Sequence, residues 1–111
     1  YEIAMDTFTI TEWYEVDHNP NTIDISPDGK LLIVSCRGPN NPVSYLIRSP
    51  RSGYIVVIDV EQKRVVAMFS GGNQPTGLDI SNNGKYLCFS NFLDNTIELF
   101  YLGDYNANYS K

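Results

Sequence analysis

Short apolar runs, each closed by glycine, asparagine, aspartate or proline, recur along the whole chain. Runs of this length, rich in Ile, Val, Leu, Phe and Tyr and bounded by turn formers, predict strands rather than helices. Residues 22–26 alternate apolar and polar positions (TIDIS), as do residues 77–81 (GLDIS). An alternation of period two fits a strand with one face packed and one face wet. Residues 54–60 (YIVVIDV) and 64–69 (RVVAMF) are apolar nearly throughout, as a strand covered on both faces must be. Residues 96–102 (TIELFYL) read the same way, and residues 1–6 and 9–15 supply two more candidates.

The pattern is periodic. NPNTIDISPDGKLLIVSC, beginning at Asn19, and QPTGLDISNNGKYLCFSN, beginning at Gln74, lie 55 residues apart and agree at eight of 18 positions. Pro20/Pro75, Asp24/Asp79, Ser26/Ser81, Gly29/Gly84 and Ser35/Ser90 are among the identities. Each copy is a hairpin whose turn, Asp28-Gly29 or Asn83-Gly84, supplies the positive φ that a tight β-turn requires. A third strand follows both hairpins, and there Gly53 aligns with Asn95 at a spacing of only 42. The first copy therefore holds 13 extra residues between its second and third strands, within residues 37–52. A basic period of about 42 is the length of a four-stranded propeller blade.

The expected architecture is all-β, an incomplete ring of antiparallel up-and-down blades. Residues 1–16 hold the last two strands of one blade. Residues 17–70 form a complete blade with the long insertion 37–52, residues 71–102 give the first three strands of another, and residues 103–111 are a polar tail. A nine-stranded sandwich would not predict a 42-residue repeat with matched turns. Blades bury both faces against their neighbours in rings of about four to eight. So few blades leave apolar faces and strand edges to be covered, which predicts the remaining blades of a longer parent, or companion chains, as partners.

The two motif copies resemble the repeat of the YVTN-type β-propellers, roughly P-x-G-[IV]-[AD]-[VI]-S-P-D-G-K-x-[IL]-Y-V-[TS]-N followed by D-N-T-[VI]. Pro75-Thr76-Gly77-Leu78-Asp79-Ile80-Ser81 and Leu87-Cys88-Phe89-Ser90-Asn91 carry the first part, and Asp94-Asn95-Thr96-Ile97 opens the second. Asn82-Asn83 replaces Pro-Asp in one turn, and Cys36 stands where the closing Asn is usual. The resemblance implies a propeller and a periplasmic or extracellular location. It leaves the activity open, because such folds serve as binding modules, lactonases and quinone- or haem-linked dehydrogenases alike.

Composition narrows the field. Eight basic against 13 acidic residues give a net charge of −5, which repels phosphate backbones and disfavours nucleic acid. No apolar run is long enough for a membrane-spanning helix. Cys36 and Cys88 lack metal-ligand spacing and read as two small buried thiols. The tripeptide Asn108-Tyr109-Ser110 has the form of a glycosylation acceptor, a pattern short enough to arise by chance.

Candidate chemistry gathers on one side of the disc, where the connections into strand one and between strands two and three emerge. Arg37, Arg48 and Arg51 lie in a stretch with no acidic residue, a local cationic patch suited to carboxylates or phosphates through forked hydrogen bonds. Alternatively they pair with acids of neighbouring blades. Asn19 and Asn91 stand beside them as polar candidates. His18 offers an imidazole for acid–base or metal chemistry, or one loop hydrogen bond. Asp24 and Asp79 recur at one place on adjacent innermost strands, either as a pair able to hold a divalent cation or polarise water, or as acceptors of backbone hydrogen bonds.

Two functions follow from these residues. The first is a non-catalytic module presenting its top-face loops, with Arg37, Arg48 and Arg51, to an anionic ligand or a partner protein, without a cofactor. The second is an enzyme of lactonase or dehydrogenase type, with Asp24, Asp79 and His18 at the channel mouth.

Overall fold

The computed structural model describes residues 1–6 and 9–102. The expected polar tail, residues 103–111 with its Asn108-Tyr109-Ser110 tripeptide, lies outside the described residues. The chain is all-β, with nine strands among the described residues: β1 (Glu2–Ala4), β2 (Thr9–Glu12), β3 (Pro20–Ile25), β4 (Leu31–Cys36), β5 (Tyr54–Asp59), β6 (Arg64–Ser70), β7 (Pro75–Ile80), β8 (Tyr86–Asn91) and β9 (Thr96–Tyr101). They form antiparallel sheets of two, four and three strands in simple sequence order, β1-β2, β3-β4-β5-β6 and β7-β8-β9. These are one full and two partial blades, called here the first, second and third in chain order. No helix long and apolar enough to cross a membrane occurs among the described residues.

The two hairpins repeat each other bond for bond. Gly29 and Gly84 turn at φ 75° and 73°. Gly29 N–H donates to Ser26 C=O, and Gly84 N–H to Ser81 C=O, both at 2.8 Å. Asp28 Oδ1 accepts from Ser26 Oγ (2.6 Å) and Lys30 N–H (2.9 Å). Asn83 Oδ1 does the same for Ser81 Oγ (2.7 Å) and Lys85 N–H (3.0 Å). An amide oxygen thus fills the carboxylate's place, and the departure from Pro-Asp at this turn leaves the fold untouched. Both inner strands also bulge after their opening proline, between Pro20 and Thr22 and between Pro75 and Leu78.

Alternation along β4 sends Leu31, Ile33 and Ser35 to one face and Leu32, Val34 and Cys36 to the other. The first face meets the third blade. Leu31, Ile33, Ile55 and Val57 pack there against Ile80, Leu87, Phe89 and Leu102, all buried. Phe69 stacks on Phe100 at 4.4 Å between ring centroids. Burying aliphatic and aromatic side chains at about 1.5–3 kcal/mol each makes this seam the main cohesive element. The opposite face of the second blade packs less fully. Ile23, Ile25, Leu32, Val34 and Ile58, with Tyr14 and Val16, line an apolar cleft of about 410 Å³ beside β1-β2.

Candidate ligand-binding face

The long insertion between β4 and β5 is fixed at several points to the loops that open β3 and β7. Asn19, held at φ 54°, donates from its amide to Gly38 C=O at 2.8 Å. Asn73 accepts Ser49 N–H at 3.0 Å and donates back to Ser49 C=O at 3.3 Å. Gln74 adopts φ 57°, a left-handed conformation that side chains other than glycine and asparagine rarely take. Its buried amide donates to Tyr45 C=O (2.6 Å) and Ser49 Oγ (3.1 Å), so the insertion itself holds that conformation in place. Gly53 closes the insertion. A Cβ there would stand 2.1 Å from Cys36 O and 2.6 Å from Pro75 Cδ, so space rather than positive φ requires glycine.

Two of the three insertion arginines are engaged internally. Arg51 grips Asp17 with both terminal nitrogens, at 2.6 and 2.9 Å, and lies over the Tyr54 ring. The forked bonds from Arg51 hold the Asp17 carboxyl below the usual carboxylate range. Arg48 reaches Asp94 of the third blade at 2.5 Å, and Asp94 also accepts Asn73 N–H at 2.7 Å. The backbone bond from Asn73 and the Arg48 contact together lower the Asp94 carboxyl.

Arg37 differs from both. Its guanidinium donates to Asn40 Oδ1 at 3.1 Å and stands 5.4 Å from the centroid of the Tyr45 ring. Among the described residues it makes no salt bridge to a carboxylate. Arg37, Tyr45, Gln74, Thr76 and Phe92 line a pocket of about 140 Å³. A half-buried guanidinium laid along an aromatic ring, with room beside it, can present its donor edge to a carboxylate or phosphate.

At the other end of the inner strands, Asp24 and Asp79 come together on one donor. Ile80 N–H lies 3.1 Å from Asp24 Oδ2 and 3.0 Å from Asp79 Oδ1. Asp24 Oδ1 also accepts its own neighbour's Ile25 N–H at 2.9 Å. Both carboxylates therefore accept backbone hydrogen bonds, one of them across the seam between blades. Among the described residues no group of three or more His, Cys, Asp or Glu side chains is placed to hold a metal ion.

A family model described as lactonase, 7-bladed beta-propeller, matches residues 1–108. The chain belongs to this family. It is also 50% identical over 82 residues to the antigen Lp49 of Leptospira interrogans serovar copenhageni, an alignment covering 73% of this chain and 18% of that protein. The chain thus spans under a fifth of the relative's length.

Within this lactonase-family chain, the residues marked out by sequence are brought together only in part. The loops bearing Asn19, Arg37, Arg48, Arg51 and Asn91 do share one side. Asn91 is buried, however, accepting Gly72 N–H (2.8 Å) and donating to Thr96 Oγ1 (3.1 Å) and Glu98 Oε2 (2.8 Å). His18 does not join Asp24 and Asp79. It precedes β3 while Asp24 lies near that strand's far end, roughly 15 to 20 Å away at the rise of an extended chain. Its exposed ring sits instead beside Asp17 and Arg51, with Nδ1 at 3.4 Å and 3.3 Å from them.

The expectation of two buried thiols holds for Cys36, whose burial pushes its pKa up to about 11. It fails for Cys88, which is exposed because β8 turns Leu87 and Phe89 to the core and Cys88 the opposite way. For the pocket residues Gln74 and Phe92 the sequence does carry a signal of position, since they occupy the repeat places of Asn19 and Arg37, whereas Tyr45 lies in the insertion and has no counterpart.

Proposed function

We propose that this chain is part of a non-catalytic propeller module whose top face receives an anionic ligand, the carboxylate of a partner segment, at the Arg37 pocket. The observation that carries the reading is the contrast among three neighbouring arginines. Arg48 and Arg51 spend their charge on Asp94 and Asp17. Arg37 stacks on Tyr45 beside an open pocket with no acidic partner among the described residues. In a chain of net charge −5, an unneutralised guanidinium held by its surroundings is suited to select an acid.

The lactonase reading is not favoured, since His18 stands far from Asp24 and Asp79 and both Asp24 oxygens accept backbone N–H groups. The present reading calls for no cofactor. We assign residues 1–16, 17–70 and 71–102 to three successive blades of a YVTN-type repeat, completed by further blades of a parent or companion chain. A periplasmic or extracellular location belongs to the same proposal and rests on the resemblance to YVTN-type propellers.

The test is binding of a fluorescent poly-glutamate peptide to the full-length propeller, followed by anisotropy. Arg37→Ala is expected to weaken binding roughly tenfold, and Arg37→Lys to recover part of it by restoring charge without the fork. Equal binding by wild type and Arg37→Ala would refute the assignment. Lactone hydrolysis lost on Asp24→Asn would restore the enzyme reading.

A further inference from the structure

The seam between the second and third blades carries two polar links across its inner strands. Asp24 Oδ2 accepts Ile80 N–H at 3.1 Å, and Ser35 Oγ donates to Thr76 C=O at 2.8 Å. Each side chain is first anchored in its own blade. Asp24 Oδ1 takes Ile25 N–H at 2.9 Å, and Ser35 Oγ takes Thr22 N–H at 3.2 Å. One link needs a donor and the other an acceptor, four residues apart on the same strand. A slip by one residue would reverse N–H and C=O directions and break both, so together they specify the register of one blade on the next.

The third blade repeats the anchored half of this arrangement. Asp79 stands at the place of Asp24 and Ser90 at that of Ser35. Asp79 Oδ1 accepts Ile80 N–H at 3.0 Å, and Ser90 Oγ accepts Gly77 N–H at 3.0 Å. Asp79 Oδ2 and the Ser90 hydroxyl proton have no partner among the described residues. The apolar positions agree as well. Ile55 and Val57, buried in the existing seam, correspond to Ile97 and Leu99, which are 74% and 70% exposed.

We propose that Asp79 and Ser90 form a two-point register key for the innermost strand of the blade that follows the third in the closed ring. Asp79 Oδ2 accepts the N–H at the place of Ile80, and Ser90 donates to the C=O at the place of Thr76. Ile97 and Leu99 are covered by the same docking. Ile80 N–H already has two carboxylates, whereas Ile25 N–H has only its own, so the matching acceptor for Ile25 belongs to the inner strand of the preceding blade. The result is a belt of aspartates linking inner strands around the channel.

The experiment is amide hydrogen exchange on the full-length propeller. Asp79→Asn keeps size and one acceptor oxygen while removing the second, so little else changes. It is expected to accelerate exchange roughly tenfold at the amide in the Ile80 place of the following blade, and Asp24→Asn to do the same at Ile80 itself. Ser90→Ala should loosen that same strand without touching residues 54–70. If Asp24→Asn accelerates Ile80 while neither Asp79→Asn nor Ser90→Ala alters the following blade, the key does not exist. No acceleration in any of the three would equally overturn it.

Discussion

The second and third blades are built on one frame and part company at a single connection, between their second and third strands. In the third blade Asn91–Asp94 turns back at once, with Asp94 N–H on Asn91 C=O at 3.2 Å and Asn95 at φ 54°. In the second, residues 37–53 leave the sheet, reach the third blade and return. The backbone departs from the same point in both. Arg37 N–H donates to Asn19 C=O at 3.0 Å, and Phe92 N–H to Gln74 C=O at 2.9 Å. The next pair repeats as well, Gly38 N–H on His18 C=O at 3.1 Å and Leu93 N–H on Asn73 C=O at 3.3 Å, and only beyond it do the copies diverge. The repeat therefore fixes where the loop begins and ends, and the residues between are free to acquire a surface of their own. That surface is where the arginines, the Arg37 pocket and the contacts between loops are found.

The sharpest break of this comparison is at Gly53, where the insertion rejoins the frame. Gly53→Ala would drive a methyl group into Cys36 O and Pro75 Cδ, which are backbone and ring atoms unable to swing aside. A loss of about 3 kcal/mol or more is expected, read from chemical denaturation of the full-length propeller. The aligned Asn95 has no such constraint, because its place in the short connection is set by a left-handed turn.

A smaller effect is expected at Asp17, which ties the insertion's exit to the loop before β3. Arg51 lowers the Asp17 carboxyl in the fold, so the ionised form is the stabilising one. That contribution is complete above the ordinary carboxylate pKa and declines as pH falls through the depressed folded value. Asp17→Asn should cost about 1 kcal/mol at neutral pH, since one forked charge-assisted pair becomes a neutral contact. The difference from wild type should shrink below about pH 4, as melting curves collected across that range will report. A constant difference at every pH would mean that the ion pair contributes nothing.

Most of the frame is legible in the sequence because its devices are local. Gly29 and Gly84, Asp28 and Asn83, and Ser26 and Ser81 each act within a few residues, and their recurrence announces a repeat. The convergence of Asp24 and Asp79 could be anticipated for the same reason. The choice of partners in the insertion could not. Arg48 finding Asp94, and Gln74 finding Tyr45, depend on a loop path with no counterpart in the other copy. The exposure of Cys88 is not legible in the sequence, because alternation on β8 states that it faces away from Leu87 and Phe89 but not that the facing surface is open.

Exchanging the two connections separates a repeat that supplies the frame from an insertion that supplies the binding surface. Residues 37–53 of the full-length propeller would be replaced by the third blade's Phe92–Asn95, and poly-glutamate binding measured alongside circular dichroism. A retained β-sheet spectrum with a cooperative melt and loss of binding is expected. Undiminished binding would place the acid-recognising surface elsewhere, and loss of the sheet spectrum would make the insertion part of the frame itself.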